Sequence, residues 1–304
     1  MPDASTQTDE NLGPTRRPLS ESSKKKYDQA IARLKTAGYD IENQPREVIE
    51  WVKTQGANSA QIVYYSAIKY ESSKADKPFP VPKEYQDELD RLSGERKVSS
   101  KSQVLSERQK PNFVPFPELA EVQRRLRDKE EKSDADWKDY LIASLYTLQP
   151  PVRADYGQVE VFGKRSLSRT GNELIWGQKS KPPYFVFRVY KTAKTYGTVE
   201  VKVSPAMAGV ITDWFAHLGN TPPKYLLGRA VEPNDLLSLI SHAFRSTKKE
   251  IGVNLLRHAY ITEFMKSPHT IKEREELAMK MLHDKETQEK YAVASELKKG
   301  EDTD

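Results

Sequence analysis

Cysteine is absent from all 304 residues. That one absence excludes disulfide frameworks, thiolate zinc sites and thiol nucleophiles together. Apolar runs are short, and none approaches the roughly 20 residues needed to span a bilayer as a helix. The opening segment MPDASTQTDENLGPTRRPLS has no apolar signal core, so a soluble, intracellular protein is expected. No Gly-rich phosphate loop, dinucleotide fingerprint or internal repeat is present. His258 and His283 have no carboxylate or thiol at ligand spacing, so neither a metal nor a cofactor is expected. A small-molecule substrate and a membrane are not expected either.

Charge is plentiful. Charged residues make up 31% of the chain and hydrophobic ones 37%, with a formal net charge of +5 and a pI near 9.0. The length suits one large domain or two ordinary ones, and the basic excess suits a polyanionic partner. Residues 1–19 hold Pro2, Pro14 and Pro18 and little that is apolar, which reads as a disordered arm whose Arg16 and Arg17 either touch phosphates or are simply solvated. From residue 20 to 92 the spacing predicts four short helices, over 24–36, 46–54, 59–72 and 83–92, with Tyr27, Ile31 and Leu34 on one face of the first. Residues 93–112 are polar and basic and read as a linker. A second domain is expected from Phe113 to Tyr291, followed by a short tail over 292–304.

Within the second domain, helices are expected over 118–127, 137–148, 205–218 and 234–247. Pro150 and Pro151 end the second of these, and Arg153 sits just beyond the break, followed by Asp155. Taken alone, the pair could be a structural ion pair. Strands are expected over 158–162, 173–176, 184–190 and 198–203, giving a mainly α protein with a small antiparallel sheet (α+β). The last two strands form a hairpin with a long tip, Lys191 to Gly197, carrying Lys191 and Lys194. Toward the C-terminus comes NLLRHAYITEF, then a helical run over 271–282 ending in Met281-Leu282-His283, then Tyr291 eight residues on. A tyrosine hydroxyl can attack phosphorus, while arginine and imidazole can hold charge on the oxygens. Tyr291 could instead only pack a helix end.

The ordered set Arg153, Lys191 or Lys194, Asn254, Arg257, His283 and Tyr291 resembles the tyrosine recombinase (phage integrase) family. Asn254-Leu255-Leu256-Arg257 falls on that family's His-x-x-Arg element, and Leu-Arg-His-Ala-Tyr-Ile-Thr resembles its Leu-Arg-His-Thr-Phe-Ala-Thr wording. Two departures stand out: Asn254 replaces the usual His, and Leu282 replaces the Gly that usually precedes the later His. The resemblance implies a helical core-binding domain over 20–92, closing on the far side of DNA, and a catalytic domain over 113–291. It implies that Tyr291 forms a 3′-phosphotyrosine, that Arg153 and Arg257 grip the nonbridging oxygens and that His283 hydrogen-bonds the phosphate. Lys191, with Lys194 as alternative, would protonate the leaving 5′-oxygen. The implied partner is double-stranded DNA, bound as a homotetramer on two sites, with the tail docking on a neighbour. Lys24, Lys25, Lys26, Arg33, Lys35, Lys69 and Lys74 would face phosphates or be ordinary solvated side chains. The wording is nearest to recombinases of large DNA viruses and mobile elements. A type IB topoisomerase and a catalytically silent DNA-binding protein of the same fold remain the alternatives.

Overall fold

A computed structural model describes residues 19, 21–74, 76, 78–101, 104–178, 181–283 and 291–298. The expectations placed on the arm before residue 19 and on the end of the tail lie outside the described residues. The chain divides into two compact units, Met1–Ser99 and Ser100–Asp304.

The first unit is helical: α1 (Glu21–Thr36), α2 (Pro45–Thr54), α3 (Asn58–Glu71) and α4 (Lys83–Lys101). The 3.6-residue period decides what is inside. Leu34 on α1, Val48 and Val52 on α2, Ala67 and Ile68 on α3 and Leu92 on α4 are fully buried in one core. Pro45 starts α2, where its missing N–H costs nothing. The fourth helix differs from expectation, for it runs to Lys101 where a linker was expected from residue 93. Gly94 costs a helix about 1 kcal/mol relative to alanine. Side-chain pairs one turn apart oppose that loss: Arg91 reaches Glu88 at 2.6 Å and Glu95 at 2.7 Å, and Asn58 of α3 donates to Glu95 at 2.9 Å. Of the basic residues singled out on this unit, Lys24 pairs with Glu21 at 2.7 Å, Lys35 with Glu71 at 2.8 Å and Lys74 with Asp28 at 3.1 Å. Lys25, Lys26 and Arg33 are exposed.

The second unit begins with α5 (Phe116–Asp128) and α6 (Asp134–Thr147), the latter opened by a capping box in which Ser133 and Asp136 satisfy each other's backbone N–H groups. A small sheet follows, of β1 (Glu160–Phe162), β2 (Glu173–Ile175), β3 (Tyr184–Phe187) and β4 (Val199–Lys202), with α7 (Ala193–Tyr196) set into the connection between the last two. Then come α8 (Pro205–His217), α9 (Pro233–Ala243), α10 (Val253–Met265), α11 (Ile271–Lys280) and α12 (Ala294–Lys298). The protein is therefore mainly α with a small sheet, as expected. The sheet is mixed rather than purely antiparallel: β1 pairs β2 in parallel, whereas β2–β3 and β3–β4 are antiparallel. Pairing β1 in parallel needs a crossover, supplied here by the loop over 163–172, which Arg188 pins by donating to the carbonyls of Ser166 (3.2 Å) and Gly171 (3.1 Å). One core joins Leu141 and Leu145 of α6 to Phe185 and Phe187 of β3, Ile211 of α8 and Ile240 of α9. Buried Asp139 ties α6 to the end of α9, accepting from His242 at 2.9 Å and from Arg245. α9 starts one residue earlier than expected, at Pro233, with Glu232 at the cap, and ends at Ala243, four residues short of the expected 247. No helix among the described residues is long and apolar enough to cross a membrane.

Among the described glycines, Gly157 has the closest backbone neighbour. A Cβ there would stand 2.3 Å from the Val231 carbonyl oxygen, while Val231 N–H donates to the Gly157 carbonyl at 2.9 Å. Backbone cannot yield as a flexible side chain can. Gly157→Ala is expected to lower unfolding free energy by about 1–3 kcal/mol, the usual cost of overpacking. Urea denaturation of the two proteins checks this, and coincident midpoints would refute it.

Candidate active site

α10 supplies the centre of the site. Gly252 opens it in extended conformation, and Val253, Leu256 and Ala259 turn one face into the main core. This registry leaves Arg257 fully buried, at 0% exposure. Its Nη1 donates to two main-chain carbonyls far away in sequence, Pro151 at 2.7 Å and Met281 at 3.0 Å. Among the described residues Nε and Nη2 make no hydrogen bond of good geometry, and the guanidinium lies against the Tyr291 phenol. An uncompensated buried donor is costly, more so when charged, so these two groups mark a place prepared for an oxygen-rich anion. Burial lowers the guanidinium's affinity for its proton, yet an arginine keeps its charge at any ordinary pH.

Pro151 leads into the turn that carries Arg153. α6 ends at Thr147, and the turn beyond it is held by Tyr146, whose hydroxyl donates to the Arg153 carbonyl at 2.9 Å. Arg153 N–H donates to Asp155 Oδ2 at 3.1 Å. Asp155 thus fixes the backbone of Arg153; no ion pair joins it to the guanidinium among the described residues. Burial raises the Asp155 pKa. Asn172 locks this turn to the sheet, donating to the carbonyls of Asp155 (3.3 Å) and Val189 (2.9 Å) and accepting from the N–H groups of Arg188 and Val189.

His283 is placed by the end of α11. Leu282 N–H donates to the Met279 carbonyl at 3.0 Å and His283 N–H to the Ala278 carbonyl at 3.1 Å, the paired bonds of a Schellman cap. The cap needs a left-handed residue between helix and histidine, and Leu282 takes that conformation at φ 57. Glycine is the residue that adopts it most easily, at about 1–2 kcal/mol less strain. Buried Leu282 packs into the main core, which offsets the strain. His283 itself is 4% exposed.

Tyr291 meets all of these. Its ring lies 5.0 Å from the Arg257 guanidinium carbon, 4.8 Å from the His258 ring and 5.9 Å from the His283 ring. Its hydroxyl donates to Asn254 Oδ1 over a long 3.5 Å. Burial works against ionisation of the phenol, but the charges of Arg257 and Arg153 outweigh it, so the pKa lies below the ordinary tyrosine value.

The structure therefore brings Arg153, Asn254, Arg257 and His283 together around Tyr291. Lys191 and Lys194 are both exposed at the hairpin tip, and among the described residues neither amine contacts the tyrosine. The tip is nevertheless tethered to the site, because Thr192 Oγ1 donates to the Leu282 carbonyl at 3.0 Å. The connection is wider than the seven residues expected, running from Phe187 to Val199 with α7 folded inside it. Beside Arg153 and Asn254 opens a cleft of about 770 Å³, lined also by Arg108 and the first turn of α10. His258 and Thr262 were not marked out as site residues by the sequence, yet both hold the segment at Tyr291: His258 Nδ1 lies 2.7 Å from the Tyr291 carbonyl, and Thr262 Oγ1 accepts from Val293 N–H at 2.9 Å. Among the described residues no group of three histidine, aspartate or glutamate side chains could hold a metal ion.

No family profile matches the chain, and no match is found among curated proteins. One solved structure similar to it is the crystal structure of XerA recombinase, at 14% identity and a TM-score of 0.41, covering 92% of this chain and 91% of the other.

The charge arrangement makes a testable statement about Tyr291. A difference titration of wild type against Tyr291→Phe should show one phenol ionising below the ordinary tyrosine range, near 10. In Arg153→Ala that ionisation should move upward, since one of the two charges opposing burial is gone. An unchanged titration in Arg153→Ala would show that the two side chains do not interact.

Proposed function

We propose that the chain is a tyrosine-type site-specific DNA recombinase, cutting and rejoining DNA through a 3′-phosphotyrosine. The observation that carries this reading is the packing of Arg257, His283 and Asn254 against one tyrosine, whose acidity the charges of two arginines, Arg257 and Arg153, raise. One of them, Arg257, is fully buried, holds two main-chain carbonyls through Nη1 and lies 5.0 Å from the Tyr291 ring.

In the proposed step, Tyr291 Oη attacks a DNA phosphorus. The Oη–P bond forms, the bond from phosphorus to the 5′-oxygen breaks, and the electron pair leaves on that oxygen. Arg257 Nε and Nη2, with Arg153, bind the nonbridging oxygens, whose charge grows in the transition state. His283 donates to the same phosphate. Lys191 or Lys194 gives the leaving oxygen its proton once the hairpin tip meets the DNA. Asn254 cannot take the phenol proton at neutral pH. The charges of Arg257 and Arg153 ease loss of the phenol proton, which in this step passes to water. Rejoining reverses the step with another 5′-hydroxyl. The cleft beside Arg153, with Arg108 and the α10 N-terminus, suits the flanking backbone of the duplex. Double-stranded DNA is the partner in this reading, with a tetramer on two sites as the working assembly. A viral or mobile-element origin would fit.

A suicide-substrate assay tests it. Full-length protein is incubated with nicked duplexes of randomised sequence, and denaturing gels are read for a covalent protein–DNA band. Wild type should give the band and Tyr291→Phe none. A band that survives in Tyr291→Phe would sink the assignment. DNA binding by wild type without any band would favour a silent DNA-binding protein. Exchange between two duplexes separates a recombinase from a type IB topoisomerase. The acid is found with a substrate whose leaving 5′-oxygen is replaced by sulfur, which needs little protonation. Whichever of Lys191→Ala and Lys194→Ala is slow on oxygen but near normal on sulfur removes the acid; if neither behaves so, the hairpin does not supply it.

A further inference from the structure

The chemistry above needs Tyr291 to wait beside Arg257, yet α11 and its cap end at His283, eight residues before it. What fixes the tyrosine is α10. His258 and Thr262 stand one helical turn apart on that helix, so they share a face. His258 Nδ1 lies 2.7 Å from the Tyr291 carbonyl oxygen. A carbonyl can only accept, so Nδ1 carries the hydrogen. Burial keeps the His258 pKa low and the ring neutral, which leaves one tautomer. Four residues further along, Thr262, 3% exposed, accepts from Val293 N–H through Oγ1 at 2.9 Å. Val293 is buried against Leu105 and Leu255, and Ala292 against Ile261 and Met281.

We infer that His258 and Thr262 are positioning residues: they clamp the backbone on either side of Ala292, so the phenol of Tyr291 stays with the arginine of its own chain. This rests on the proposed recombinase reading. It adds that the helix bearing Arg257 also holds the nucleophile in place. Neither side chain touches the phosphate. Their effect passes through main-chain atoms, which explains why a residue as chemically inert as threonine belongs to the set. The aromatic contact supports the same role, as the His258 ring packs at 57° to that of Tyr291, limiting how far the phenol can swing.

Conservative pairs test the clamp. Thr262→Val keeps the shape and loses the acceptor, while Thr262→Ser keeps it. His258→Leu loses the donor, while His258→Asn retains a nitrogen near the Nδ1 position. With saturating suicide substrate, Thr262→Val and His258→Leu should form the covalent adduct roughly ten- to a hundredfold more slowly, the usual consequence of a misplaced nucleophile. DNA affinity should be unchanged, and Thr262→Ser and His258→Asn should recover most of the rate. A second readout needs no DNA. The ¹³Cζ resonance of Tyr291, assigned by its loss in Tyr291→Phe, should move toward that of an exposed tyrosine in Thr262→Val and His258→Leu. A resonance unmoved in both, or adduct formation at the wild-type rate in both, overturns the clamp. If wild type forms no adduct at all, the recombinase reading fails, and the resonance alone decides whether the clamp exists.

Discussion

A guanidinium buried to zero exposure is the constraint on which the second unit depends. Taking an ion out of water costs several kcal/mol unless its hydrogen-bonding groups are met. Arg257 spends one nitrogen on two main-chain carbonyls, Pro151 before the Arg153 turn and Met281 at the end of α11. Those bonds bring together three parts of the chain that are distant in sequence. The rest of the guanidinium faces a tyrosine whose acidity it raises. A structural arginine would be satisfied on all sides. This one is held by main-chain carbonyls on one side and turned toward Tyr291 on the other, which is the arrangement the proposed phosphate site needs.

Around that centre, local rules supply the precision. A Schellman cap sets His283, an asparagine bridge through Asn172 sets the Arg153 turn, and a threonine hydroxyl sets the hairpin tip. Each device fixes backbone rather than side chain, so the side chains around Tyr291 keep the freedom of their last bonds while their roots stay still. The cost appears at Leu282, a branched residue in left-handed conformation, accepted because its side chain is buried in the core.

Much of this was legible in the sequence, and the reasons for the rest are physical. Helices with a clear apolar stripe, such as α2 with Val48, Ile49 and Val52, declare themselves by period. Pro150 and Pro151 declare the break before Arg153. The end of α4 was hidden, because its support beyond Gly94 comes from ion pairs and from Asn58 on another helix, not from apolar spacing. The parallel pairing of β1 was hidden too, since strands of three residues carry no direction in their pattern. Leu282 concealed a cap that glycine would have announced. His258 and Thr262 act through backbone groups of residues more than thirty positions away, and no local pattern records such a bond.

The double tether made by Arg257 also bears on how the unit opens. Releasing α11 from the core breaks a bond to the same guanidinium that holds the turn after α6, leaving a buried charge less compensated at the moment of release. Fraying of one segment is therefore penalised by the others. In amide exchange, the ends of α6 and α11 and the body of α10 would behave as a single cooperative block, exchanging together instead of peeling from the C-terminus inward. Such a block is present whole or not at all, which makes its integrity a threshold rather than a gradient.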